Sequence, residues 1–353
     1  MTHKFLLMPL SVLIMAGCQS TGEQAASSEV NGVSYQADST NHISRGVYQQ
    51  EFDSAVLFAK QANELEVLMQ GYCQTNSVEL DTLKAQWQLA MNSWMALQGQ
   101  ERGPTAALEE SWNVQFWPDK KNTTGLKMRQ LTQQDKSWSQ DEIAQQSVTV
   151  QGLSALEWSL YDEQSPLLQD KALGCQSSQA ITENLAIKSS SIAQAWQVNP
   201  WLALDETRWE SEYIALLTNQ LDYSMKKLSR PMAKIGHPRP YFSESWRAQT
   251  SMTQLKANVA ALQNLYLADG NGLDDLLREK GLNDLADRVA DQFTLTLDTW
   301  PTESSLFELL QSKEGYREVL TQYNKLERLK YLIHEEVAIE LGVVIGFNAT
   351  DGD

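Results

Sequence analysis

The stretch Val148 to Tyr161, VTVQGLSALEWSLY, places one carboxylate, Glu157, in a run of apolar and small residues. At helical period Leu153, Leu156 and Leu160 share one arc, and Gly152, Ala155 and Ser159 form a small-residue face that another backbone could approach closely. Ser154, Glu157, Trp158 and Tyr161 fall on the third sector, so no sector suits water. An uncompensated carboxylate on a buried helix is too costly, so Glu157 must be paired, metal-bound or protonated there. From the residues alone it reads first as a core carboxylate bonded to an Arg, Tyr or Trp, with a metal ligand or general base as the functional alternative.

Other chemistries have less to stand on. Ser154 lies in a helical period and outside any GxSxG turn, so it is expected to pack rather than attack. Phosphate loops of the GxGxxG or GxxxxGK[ST] type do not occur. Beyond the first residues the histidines are His42, His237 and His334, none at the spacing of HExxH; His334-Glu335-Glu336 reads as a solvated charged face. A hard cation, iron or another divalent ion, would have to draw on oxygen donors such as Glu157, Glu244, Asp351 and Asp353. Arg247, in Glu244-Ser245-Trp246-Arg247, is open to pairing with Glu157 or with a ligand anion.

These residues need a scaffold, and the periodicity predicts helices. Leu80, Leu83, Trp87, Ala90, Trp94 and Leu97 step by three and four, as a bundle seam does. Similar stripes run through Phe58 to Met69, Ile181 to Ala195, Tyr213 to Met225, Met252 to Leu265, Leu285 to Phe293 and Tyr316 to Leu341. No alternating strand pattern of useful length competes, and most of the 11 Trp are expected in the core. Irregular insertions are expected around Gly103 to Gly125 and Gln133 to Gln146. Asn199-Pro200 gives the clearest cut, so the expected architecture is all-α: a first helical bundle over residues 45–199 packed on a second over 200–353.

Residues 1–17 carry a short basic start, an apolar stretch and Ala16-Gly17 before Cys18, which reads as an export signal too short to span a bilayer. Ile14-Met15-Ala16-Gly17-Cys18 resembles a bacterial lipobox, which implies lipidation of Cys18 and a membrane anchor. Gln19 after the Cys resembles the outer-membrane-sorted class, facing the periplasm. Residues 18–44 are expected to be a flexible tether. In that oxidising compartment Cys73 and Cys175, 102 residues apart, are expected to pair.

With 353 residues, 42% of them hydrophobic, and only 18 Gly and 9 Pro, the chain is neither disordered nor collagen-like. A net charge of −17 disfavours nucleic acid as a partner.

The run Gly152-Leu153-Ser154-Ala155-Leu156-Glu157-Trp158 resembles the GxHxxE signature of the imelysin peptidase family, with Ser154 where the family has His. The resemblance extends through Trp94, Gly103-Pro104, Phe116-Trp117-Pro118-Asp119, Glu244 to Arg247 and the ending GFNATDGD, over residues 45–353. It implies a two-bundle helical fold and either a metallopeptidase or an iron-linked binding protein of the envelope. Without the motif His, the expectation is a non-catalytic lipoprotein that binds a small ligand or metal. The alternatives are a metallopeptidase whose missing ligand comes from elsewhere, such as His237, and a structural partner of another envelope protein.

Overall fold

A computed structural model of the protein describes residues 27–134 and 136–343; the segment expected to be an export signal, Cys18, Asp351 and Asp353 lie outside them. Helix α1 (Arg45–Gln70) buries Tyr48, Phe52, Ala55, Ala59, Ala62, Leu65 and Met69, a continuous stripe at helical spacing. That stripe lies on helix α2 (Leu80–Trp94), which buries Leu83, Trp87, Ala90 and Trp94 as its seam requires, and on a long helix further along the chain. Helices α3 (Thr123–Thr132) and α4 (Gly152–Tyr161) follow, then α5 (Lys171–Ala195), started by Asp170, whose carboxylate accepts the Leu173 N–H. The α5 helix is the long partner of α1. The Tyr48 hydroxyl donates to the Trp196 carbonyl at one end of this antiparallel pair, and Cys73 is bonded to Cys175 at the other.

The second bundle comprises α6 (Glu206–Met232), α7 (Ser251–Leu267), α8 (Asn283–Asp298) and α9 (Lys313–Lys330). Helix α6 packs on α7 and α9, and α8 completes the group against α7 and α9. Asp205 and Ser312 cap α6 and α9 by accepting N–H groups of the first turn. The seam expected to run unbroken to Leu341 changes hydrogen-bonding pattern at Tyr331–Val337, a π-type segment that keeps Leu332, Ile333 and Val337 buried. Helix α2 of the first bundle packs on α7 of the second, so the bundles meet along a helical seam.

Two expectations need correction. The stretch expected to be tether contains a hairpin, strand β1 (Ser27–Val30) paired antiparallel with β2 (Val33–Gln36). Asn31 and Gly32 take the two positive φ values that a tight hairpin turn needs, and Val30 and Tyr35 bury their side chains in the core. Asp38 then accepts the Thr40 N–H, and His42 and Ser44 hydrogen-bond toward Leu204 and Asn199, so this segment is fastened to the fold. The insertions expected to be irregular also contain helix: the short turns Thr105–Leu108 and Ser111–Val114, the first residues of α3, and Gln140–Ala144 with a Ser139–Glu142 capping box.

Candidate functional site

Helix α4 is positioned by its first residue. Gly152 has φ +62°, and a Cβ there would lie 2.1 Å from the Val114 carbonyl oxygen and 2.4 Å from that of Asn113. The Gly152 end of the small-residue face read from sequence is thus occupied by backbone of the Ser111–Val114 turn. Ser154, two residues on, donates its hydroxyl to the Phe116 carbonyl at 3.1 Å, which fastens α4 to the same segment.

Glu157 faces the loop between α6 and α7 and is 6% exposed. Its Oε1 accepts the backbone N–H of Arg247 at 2.8 Å and of Ala248 at 3.1 Å. Ser245 and Gln249, both non-glycine residues with positive φ, flank these donors and bend the loop so that successive amides converge on one oxygen. Burial pushes the Glu157 carboxyl above its ordinary range, while the Arg247 charge and the two amides pull it back. The Arg247 guanidinium does not pair with Glu157: its Nε donates to Asp162 at 2.7 Å, an Nη to Asn122 at 2.6 Å, and it lies over the Trp246 ring. The hydrogen bond between Arg247 and Glu157 therefore runs through backbone, while the guanidinium charge acts on the carboxyl without direct contact.

Glu244, named above as a possible cation ligand, is already engaged. It forms a buried ion pair with Lys227, each side chain only 2% exposed. Its Oε1 accepts Gln98 at 2.6 Å and Gln115 at 2.8 Å, and the Lys227 ammonium also reaches Gln98 and Asn258. Trp94 joins by donating its ring N–H to Gln115. Burial pulls the Lys227 pKa down and the Glu244 charge opposes that pull. This network connects α2, the Gln115 segment, α6 and α7, so it ties the two bundles together.

Between Glu157 and Glu244 lies a chamber of about 30 Å³, lined also by Ser154, Thr124, Ser243 and Trp87. The Thr124 and Ser243 hydroxyls are buried without a hydrogen-bond partner. The volume suits one or two waters or the polar tip of a ligand. It suits a metal poorly. Glu244 is neutralised by Lys227, whose charge would also repel a cation, and Glu157 already spends one oxygen on two amides. Ser154 supplies no imidazole, and none of His42, His237 and His334 lines the chamber. Among the described residues no set of three His, Cys, Asp or Glu is placed to hold a metal ion. His237 sits in an exposed turn bridged to Lys234, so it does not replace the missing motif His at Ser154. His334 hydrogen-bonds Glu335 at the surface.

The structure gathers Ser154, Glu157, Glu244 and Arg247, named from sequence as separate candidates, around one chamber, with Gly152 at the start of α4, and it adds Lys227, Gln98 and Gln115, which sequence reasoning missed. The pair Lys226-Lys227 reads as exposed charge, and only the contrast of a lysine at an apolar helix position could have signalled burial.

The imelysin family profile, peptidase M75, matches residues 52–333. Among solved structures, an imelysin-like protein from Psychrobacter arcticum is similar at 19% identity, with a TM-score of 0.74 over 86% of this chain and 96% of that one. A protein named as an iron-regulated protein A precursor from Parabacteroides distasonis is similar at 12% identity, with a TM-score of 0.57 over 87% of this chain and 96% of that one. No curated protein matches the chain.

Proposed function

Because the chain belongs to the imelysin family, we propose that it serves as a binding protein of the cell envelope rather than as a metallopeptidase. One observation carries this reading: the Glu157 carboxylate is held by the Arg247 and Ala248 amides where the motif would need a metal partner, and the hydroxyl of Ser154 is spent on Phe116. A catalytic zinc takes three protein ligands and leaves a water position, a set this chamber does not supply. What the chamber offers is hydrogen bonding. The Thr124 and Ser243 hydroxyls and the second oxygen of Glu157 can receive a ligand's polar terminus while Trp87, Leu153 and Phe116 exclude water around it.

The envelope location rests on the export signal and on Cys18 as lipid-bearing residue, which together would hold the protein at the outer membrane facing the periplasm. No helix among the described residues is long and apolar enough to cross a membrane. The iron-linked name of the Parabacteroides protein supports a role in iron acquisition, and we expect the protein to accumulate when cells are starved of iron. The biochemical test is cleavage of unfolded polypeptide by the purified protein with added zinc or with chelator. The account predicts no cleavage in either condition. Chelator-sensitive cleavage that disappears in Glu157→Gln would overturn it.

A further inference from the structure

Beside the chamber, on the outer side of the Phe116 to Asp119 segment, the two bundles leave a groove of about 660 Å³. Four aromatic side chains, Trp112, Phe116, Trp117 and Tyr223, are among its lining. Trp112, 52% exposed, lies 5.9 Å from Phe116, and Trp117 meets the Tyr223 ring edge-on at 5.6 Å. Four cations line it: Lys120 and Lys121 from the loop before α3, and Lys226 and Arg230 from α6. Tyr223, Lys226 and Arg230 are spaced to share one face of α6, while Lys227 turns inward to Glu244.

The charge here runs against that of the chain as a whole, which is −17. Glu101 and Asp119 are the acids of the groove, and Asp119 already accepts the Thr123 and Thr124 N–H groups at the start of α3. Among the described residues the side chains of Lys120, Lys121 and Lys226 have no carboxylate partner, although the chain has 45 Asp and Glu to offer. Such a volume is typical of small-molecule sites, and flat aromatic walls with a cationic rim select a flat body and a negative charge together.

We propose that this groove binds a planar aromatic anion, of the carboxylate, phenolate or sulfonate class, with its ring against Trp112 and Tyr223 and its charge toward Lys226, Arg230 and Lys120. The groove shares Gln115, Phe116, Trp117 and Asp119 with the Glu157 chamber as a common wall, and the proposal does not depend on the reading given for the chamber.

The test is a fluorescence titration of the purified protein with anilinonaphthalene sulfonate, a planar aromatic anion. Saturable one-to-one binding is expected, weakened about tenfold or more by Lys226→Glu with Arg230→Glu and comparably by Trp112→Ala. Lys256→Glu with Lys313→Glu makes the same change in net charge at exposed sites elsewhere and should bind as the parent does. N-phenylnaphthylamine, which has the rings without the sulfonate, should bind much more weakly, and sulfate at matched ionic strength should not displace the dye. Circular dichroism of each variant confirms that it is folded. Equal loss in the control pair would show a net-charge effect and overturn the proposal, as would unchanged binding in the Lys226/Arg230 variant. If only Glu157→Gln removed binding, the anion would sit in the chamber and the groove assignment would be wrong.

Discussion

Lys227 and Glu244 sit almost out of reach of water, so each depends on the other for compensation of its charge. Removing one partner of such a pair strands a buried charge, and Lys227→Met should lower unfolding stability by about 3–5 kcal/mol. The double change Lys227→Met with Glu244→Leu should cost less than either single change, which urea denaturation of the three variants would show as a coupling between the sites. Another buried acid, Glu51, has only Gln100 as a hydrogen-bond partner among the described residues, and burial pushes its pKa up to about 8. Between the ordinary carboxylate range and about 8 the folded chain keeps a proton that the unfolded chain has released, so this residue's contribution makes stability fall as pH rises and then level off. Glu51→Gln should therefore melt close to the parent at pH about 5 and above it at pH about 8, a comparison that thermal melts across that range would make. The burial of Glu157 was readable from a helix with no sector for water. The partner of Glu244 was not, because a lysine's environment depends on which side of α6 meets the other bundle.

At the level of elements, α4 and the α1–α5 pair set the frame. Gly152 has no room for a side chain, since its Cβ would collide with the carbonyls of Val114 and Asn113, and its φ disfavours any other residue. Gly152→Ala should cost about 2 kcal/mol or more in urea unfolding and displace the Ser154–Phe116 contact. The Cys73–Cys175 bond closes a loop of 102 residues and joins the end of α1 to the start of α5. Replacing both cysteines by serine should lower stability by up to about 4.7 kcal/mol in the chain-entropy account, and dithiothreitol should shift the parent's melting temperature but not the variant's. Helix seams were readable because apolar spacing is local. The hairpin at residues 27–36 was hidden by its polar composition, although Val30-Asn31-Gly32-Val33 carries an Asn-Gly turn signal between two β-branched residues. The short helices between Gly103 and Gly125 were hidden because each is too brief to show a period.

On the scale of the molecule, two helical bundles meet at a seam that holds a small polar chamber beneath a cationic aromatic groove. The family and the two-bundle architecture could be read from residues scattered along the chain. What sequence could not supply was the use of each carboxylate: Glu157 is spent on backbone amides and Glu244 on Lys227, pairings made across 90 residues of chain in one case and between helix α6 and its following loop in the other. If the chamber binds through hydrogen bonds and not through a metal, as proposed above, added metal ions should find no site there. Calorimetric titration of the metal-stripped protein with Zn(II), Fe(II), Fe(III) and Ca(II), checked by elemental analysis, tests it most directly. The account predicts no tight one-to-one binding that depends on Glu157. A stoichiometric metal that is retained by the parent and lost in Glu157→Gln would contradict it.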